Sequence, residues 1–260
     1  MRPARAQRYY IAYKTIVIKE ITRFTRIWIQ TILPPAITMT LYFVIFGNLI
    51  GPRIGSIDGF SYMQYIAPGL IMMAVITHSY INVVSSLFGS KFQRHIEEML
   101  IAPIPHILIL AGYITGGVVR GLAVGLVVTC VALFFTHLTL SSLPVVVMTV
   151  LLTSILFSLG GFINGIFAQN FDDTSIIPTF VLTPLTYLGG VFYSIDLLPE
   201  FWQTLSLANP ILYMVNAFRY GILGISDIPI VNAFSVIILF IIALWTLGLY
   251  LLNKGVGIRT

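Results

Sequence analysis

The run GLAVGLVVTCVALFFTHLTLSSLPVVVMTVLLTSILFSLGGFINGIFAQNF, residues 121–171, contains no Asp, Glu, Lys or Arg. A charge at a bilayer centre is penalised by roughly 2.5–3.5 kcal/mol on insertion scales, and a spanning helix needs about 20 mostly apolar residues. The run is therefore long enough for two crossings. It breaks between His137 and Pro144, where Ser141, Ser142 and Pro144 gather, so it predicts two helices joined by a short uncharged loop.

Outward from this core, further charge-free stretches cover 27–52, 59–90, 99–119, 174–195, 201–218 and 228–253. Ala102-Pro103-Ile104-Pro105 interrupts the third of these, because two prolines remove two amide donors and stop a helix. Only its second half joins a span, which places Arg120 inside a helix. Asn209-Pro210 breaks 201–218, which reads as an interfacial or re-entrant segment. The expectation is an all-α polytopic membrane protein with six transmembrane helices at about 31–50, 62–88, 112–136, 144–168, 176–195 and 231–252.

Composition agrees with that expectation. Of 260 residues, 14 are Lys or Arg and 9 are Asp or Glu, so 9% are charged while 58% are apolar, and the mean hydropathy is +0.97. A soluble domain carries about 25% charge. An ordinary cytosolic enzyme, a disordered chain and a nucleic-acid binder are all excluded, the last because its basic residues need a solvated face.

The positive charges sort to one side of the expected topology. Arg2, Arg5, Arg8, Lys14, Lys19, Arg23 and Arg26 precede the first span, Lys91 and Arg94 follow the second, and Lys254 and Arg259 end the chain. The other face holds Arg53 and Arg219. This asymmetry predicts that both termini are cytoplasmic. The net charge of +5 is then attraction to anionic membrane lipids, with no nucleic acid as partner. The N-terminus lacks a signal peptide's short apolar core and cleavage site, so the first span is expected to stay as an anchor. Cys130 is the one cysteine, which excludes an intrachain disulfide.

No phosphate-loop, His-Glu-x-x-His, Gly-x-Ser-x-Gly or Cys-x-x-Cys pattern occurs, and His78, His95, His106 and His137 are scattered. No metal site and no catalytic constellation are expected. No internal repeat is visible. Carboxylates are absent from the six expected spans, whereas proton-coupled carriers often use them as relays. An energy source outside the chain is the simpler expectation.

Several segments could carry work. Residues 8–28 form an amphipathic helix by periodicity, with Tyr9, Tyr13, Ile16, Val17, Ile21, Phe24, Ile27 and Trp28 on one face. It is expected to lie at the cytoplasmic surface. Glu20 falls within the apolar arc and needs a partner, either Arg23 three residues on or a cytoplasmic subunit. Residues 88–101 form a second amphipathic helix, with Lys91, Arg94, Glu97 and Glu98 opposite Phe88, Phe92, Ile96 and Met99. Glu97 and Glu98 then stand near its C-terminus, where the dipole disfavours them; this hints at a partner, although a solvated face satisfies the same pattern.

Arg120 can snorkel to lipid phosphates or pair with a carbonyl or carboxylate. Gly112, Gly116, Gly117, Gly121 and Gly125 surround it at spacings that allow close helix approach, repeated by Gly161 and Gly165. His78, Asn82 and Ser85 share one face of the second span, and Thr179, Thr183 and Tyr187 one face of the fifth. Such stripes either bond between helices or line a pathway. Asp172 and Asp173 are expected to cap the fifth span.

Lys19-Glu20-x-x-Arg23, Ile96-Glu97-Glu98-Met99-Leu100-Ile101-Ala102-Pro103, and Pro184-Leu185 followed by Leu188-Gly189-Gly190-Val191-Phe192-Tyr193 stand in this order along the chain. Leu198-Pro199, Trp202, Asn209-Pro210 and Arg219 continue it. This ordered set resembles the permease subunit of type-2 ABC exporters over nearly the whole chain. The resemblance implies a homodimer docked on two separate ATP-binding subunits, which hold the ATP and Mg; this chain binds no cofactor. It further implies that 88–101 is the coupling helix, with Lys91, Arg94, Glu97 and Glu98 facing the ATPase. The N-terminal helix, with Lys19, Glu20 and Arg23, becomes the connecting helix. The second and fifth spans flank a pathway for an amphipathic, lipid-like, glycan or drug substrate, and 196–222 form short helices capping the outer face. The implied location is the bacterial inner membrane. Two rival readings are a membrane-embedded lipid-modifying enzyme using His78 or Arg120, and an ion-coupled carrier.

Overall fold

A computed structural model describes residues 5–257, so Arg2 and Arg259 of the charge count lie outside the described residues. Apart from one hairpin of two-residue strands, the regular structure is helical. Among the described residues, five helices are long and apolar enough to cross a membrane: Trp28–Ile54, Tyr62–Phe92, His106–Phe135, Leu143–Phe167 and Ile230–Lys254.

The N-terminal helix α1 (Arg5–Arg26) buries Ile16, Glu20 and Phe24, one residue per turn. At Ile27 the backbone leaves helical geometry, and α2 (Trp28–Tyr42) begins. It carries Pro34 and Pro35, widens into a π-helical stretch (Phe43–Ile50) and ends in the single turn α3 (Gly51–Ile54). Strands β1 (Ser56–Ile57) and β2 (Phe60–Ser61) then pair across Asp58-Gly59, both with positive φ. That dipeptide is a strong hairpin signal which the helical reading passes over.

Helix α4 (Tyr62–Phe92) is the centre of the molecule, capped by Ser61 and Gln64 in a reciprocal capping box. Its apolar window is 72% buried against 11% for the last helix, α12 (Ile230–Lys254), so α12 leaves a broad apolar face for lipid or another chain. Helices α6 (His106–Phe135) and α7 (Leu143–Phe167) pack on α4 from two sides. Glycines make this packing close. A Cβ on Gly112 or Gly116 would lie 2.5 Å from Ile16 or Glu20 of α1, and one on Gly125 would lie 2.7 Å from Val75. Gly117 and Gly121 meet Ser158 and Ser79, and Gly161 abuts the Tyr80 carbonyl. The small residues of α6 thus receive α1 on one side and α4 and α7 on another.

Among the described residues two large buried cores follow, beside a small third cluster of Ile195, Leu212 and Ile228. One contains Phe43, Tyr65, Leu70, Met72 and Phe218; the other contains Ile16, Leu87, Ile109, Tyr113, Phe162 and Leu251. Helix α4 contributes to both.

Three expectations are corrected. The stretch 88–101 is not one helix: Phe88 to Phe92 end α4, a turn follows, and α5 (His95–Ile101) starts anew because Arg94 adopts φ 61. Glu97 and Glu98 consequently occupy the first turn of α5, where the dipole favours them. The expected span 176–195 is instead a broken helix, Asp173–Leu188, in three pieces: α8 (Asp173–Ile177), a π turn (Pro178–Leu182) and α9 (Thr183–Leu188). Pro178 and Pro184 withhold donors from it, and Gly190 at φ +70 turns the chain away before 195. Asp172 and Asp173 do not cap it in the expected way; Asp173 Oδ2 accepts from the Gln169 and Asn170 amides instead. The remaining 3₁₀ turn (Ile195–Leu197), α10 (Glu200–Leu207) and α11 (Pro210–Leu223) are short helices.

Candidate functional site

Three places gather the candidate residues. The first lies where α1, α4 and α6 meet. Glu20 is fully buried, accepts from Ser86 Oγ at 2.7 Å, and stands 3.6 Å from both Lys19 Nζ and Arg23 Nε. Its carboxylate has no surface to offer a cytoplasmic subunit. Lys19 Nζ donates to Ser90 Oγ at 3.0 Å and lies over the Tyr113 ring. Arg23 Nη2 donates to the Asn82 carbonyl at 2.7 Å and to Asn82 Oδ1 at 2.8 Å, while its Nη1 reaches Ser85 Oγ at 3.4 Å. Arg120 Nη1 meets the same Asn82 Oδ1 at 3.4 Å.

Arg120 therefore pairs with a side-chain amide. His78, Asn82 and Ser85 do share a face of α4, but Asn82 is wholly buried and spends its oxygens on the two arginines. Thr179, Thr183 and Tyr187 are exposed, and Thr183 Oγ1 donates to the Pro178 carbonyl, which also accepts the Thr183 amide across the π turn. No hydrogen bond joins the two stripes among the described residues. The arginine-to-amide cluster escaped sequence reasoning because its members stand 59 and 38 positions apart; Arg120 in a charge-free helix was the one local signal.

The second place is α5. Lys91 turns back from it, donating at 2.8 Å to the carbonyls of Ile166 and Ala168 and so closing the C-terminus of α7. Arg94, His95, Glu98 and Ile101 are exposed, while Ile96 is buried and anchors the helix. The Phe92 and Phe171 rings meet tilted, with centroids 5.3 Å apart, and are also exposed.

The third place is the far end of the broken helix. Arg219 of α11 is 1% exposed, lies 4.1 Å from the Tyr65 ring centroid, and donates to the Gly190 carbonyl at 2.6 Å. It fastens the turn that ends 173–188 to α4 and α11. Among the described residues no group of His, Cys, Asp or Glu is arranged to hold a metal ion.

Residues 11–223 match the family described as ABC-2 type transporter. The chain belongs to the ABC-2 type transporter family. It is a permease subunit, a transport protein that works with ATP-binding subunits and not an enzyme. Among its relatives is the inner membrane transport permease YadH of Escherichia coli K12, 60% identical over 252 residues, covering 97% of this chain and 98% of YadH. Nodulation protein J of Rhizobium leguminosarum bv. viciae is 26% identical over 189 residues, 71% of each chain. Its counterpart in Rhizobium meliloti is 22% identical over 219 residues, 84% of this chain and 79% of that protein. Membership in the ABC-2 family replaces the membrane-enzyme and ion-carrier readings.

Proposed function

We propose that this permease forms a homodimer in the bacterial inner membrane and exports an amphipathic, lipid-like, glycan or drug substrate. ATP and Mg bind the separate ATP-binding subunits, whose closure reaches the membrane through α5. The broken helix 173–188 serves as a sixth crossing beside the five long ones, both termini are cytoplasmic, and α1 acts as the connecting helix. The substrate moves between α4 and the broken helix. The high identity to a protein named an inner membrane transport permease supports the location. The excess of Lys and Arg at the two termini and after α4 supports the orientation.

One observation carries the coupling assignment. Helix α5 is held by buried Ile96, joined by a two-residue turn to the most buried of the five long apolar helices, and left with Arg94, Glu98 and Ile101 uncovered. A push on it is delivered to α4. Replacing Glu97→Lys together with Glu98→Lys is expected to abolish copurification of the ATP-binding subunit, or ATP-dependent transport, while the chain still inserts. Normal copurification and transport by that variant would refute the assignment. For the pathway, cysteine pairs between α4 and the broken helix are expected to change cross-linking yield on ATP addition to the intact complex.

A further inference from the structure

We infer that Arg23 and Arg120 together form a binding position for a phosphate headgroup, open at the rim of the junction between α1, α4 and α6. The two guanidinium groups, from α1 and α6, converge on one neutral oxygen, Asn82 Oδ1, at 2.8 and 3.4 Å. Like charges brought together in a low-dielectric interior call for a counter-ion. The nearby carboxylate, Glu20, is already shared among Lys19, Arg23 and Ser86. Three cations thus meet one anion.

The unspent hydrogen-bonding capacity is of the matching kind. Arg120 Nε and Asn82 Nδ2 are both donors, both buried, and both without a partner among the described residues. Arg120 is 8% exposed and Asn82 0%. A phosphate offers several anionic acceptors to two planar forks at once. Access comes from the rim, where the Arg23 side chain is 29% exposed and Ser85 is exposed. Asn82 stands ten residues before the end of α4 at Phe92, about 15 Å along the helix, so the ATP-binding subunit at α5 is not the source of the anion. The inference rests on the pathway proposed along α4, and a resident phospholipid and an exported amphiphile share the required chemistry.

The test uses the full-length chain in dodecyl maltoside micelles without nucleotide, titrated with dodecyl phosphate and followed by the shift in thermal unfolding. Failure of ATP coupling therefore leaves the result untouched. Dodecyl phosphate is expected to stabilise the parent, and dodecyltrimethylammonium is not. Arg120→Gln and Arg23→Gln are each expected to weaken binding about tenfold, the effect of losing one charge-assisted contact. Arg120→Lys, which keeps the charge but loses the planar fork, is expected to bind more weakly than the parent and more tightly than Arg120→Gln. If Arg120→Gln does not fold, the rim variant Arg23→Gln gives the same reading. Equal binding of dodecyl phosphate by parent and Gln variants, or equal stabilisation by the cationic detergent, overturns the inference. Native mass spectrometry of the membrane-extracted chain separates the two sources. A phospholipid retained by the parent and lost in Arg23→Gln marks a resident lipid, whereas ATP-dependent export of dodecyl phosphate from vesicles marks the cargo; each supports the site.

Discussion

Arg94 holds a backbone conformation that suits glycine. At φ 61 a side chain costs roughly 1–2 kcal/mol, offset in glycine by about 0.5–1 kcal/mol of lost chain entropy. Arg94→Gly is therefore expected to keep the melting temperature of the detergent-solubilised chain unchanged or raise it, while ATP coupling falls because the guanidinium has gone. A lower melting temperature would contradict this reading of the turn. Lys91 behaves differently, although it stands three positions away. Lys91→Met keeps the aliphatic stem but strips the Ile166 and Ala168 carbonyls of their donor, at an expected loss of about 1–3 kcal/mol in reversible unfolding. Neither role was legible in the sequence. A cation in an amphipathic run reads as solvated, and nothing local says that α7 ends beside it. Asn82 is the same lesson, since a polar stripe does not reveal that two arginines from distant helices will claim its oxygens.

At the scale of elements, glycine spacing foretold close packing without naming the partners. Gly161 meets the Tyr80 main chain, which cannot rotate aside, whereas a Cβ on Gly89 meets nothing within 4 Å. Gly161→Ala is expected to destabilise by about 1–3 kcal/mol through forced separation of α4 and α7. Gly89→Ala is expected to stabilise by about 0.5–1 kcal/mol. Unfolding of the pair in one detergent tests both signs. Long helices were readable because charge exclusion acts over some 20 residues and averages out local noise. The boundary inside 88–101 was not, because Phe88, Phe92 and Ile96 continue one apolar stripe across a turn that has no glycine to announce it. Pro178 and Pro184 did announce the break in the fifth segment, but hydropathy alone carried the expected helix past Leu188.

For the whole molecule, the exposed apolar faces of α2 and α12 require lipid or a second copy. Leu33, Ile37 and Leu41 on α2, and Val231, Leu239 and Ile242 on α12, are all at least half exposed. The chain is expected to migrate as a dimer of its 28.9 kDa mass when extracted gently, with cross-links running through one of these faces. With Cys130 replaced by alanine, Glu98→Cys is expected to react with an impermeant maleimide only in inverted vesicles, and Phe201→Cys only in intact spheroplasts. Labelling of both from one side would reverse the topology that the charge asymmetry predicts.

The Arg219 to Gly190 bond sets what kind of motion the broken helix can make. With its distal tip pinned to α11 and its shaft weakened at Pro178 and Pro184, the segment is expected to swing as a pendulum and not slide as a piston. Displacement grows with distance from the pivot, so spin labels near Ser175 are expected to travel farther between nucleotide states than labels near Leu188.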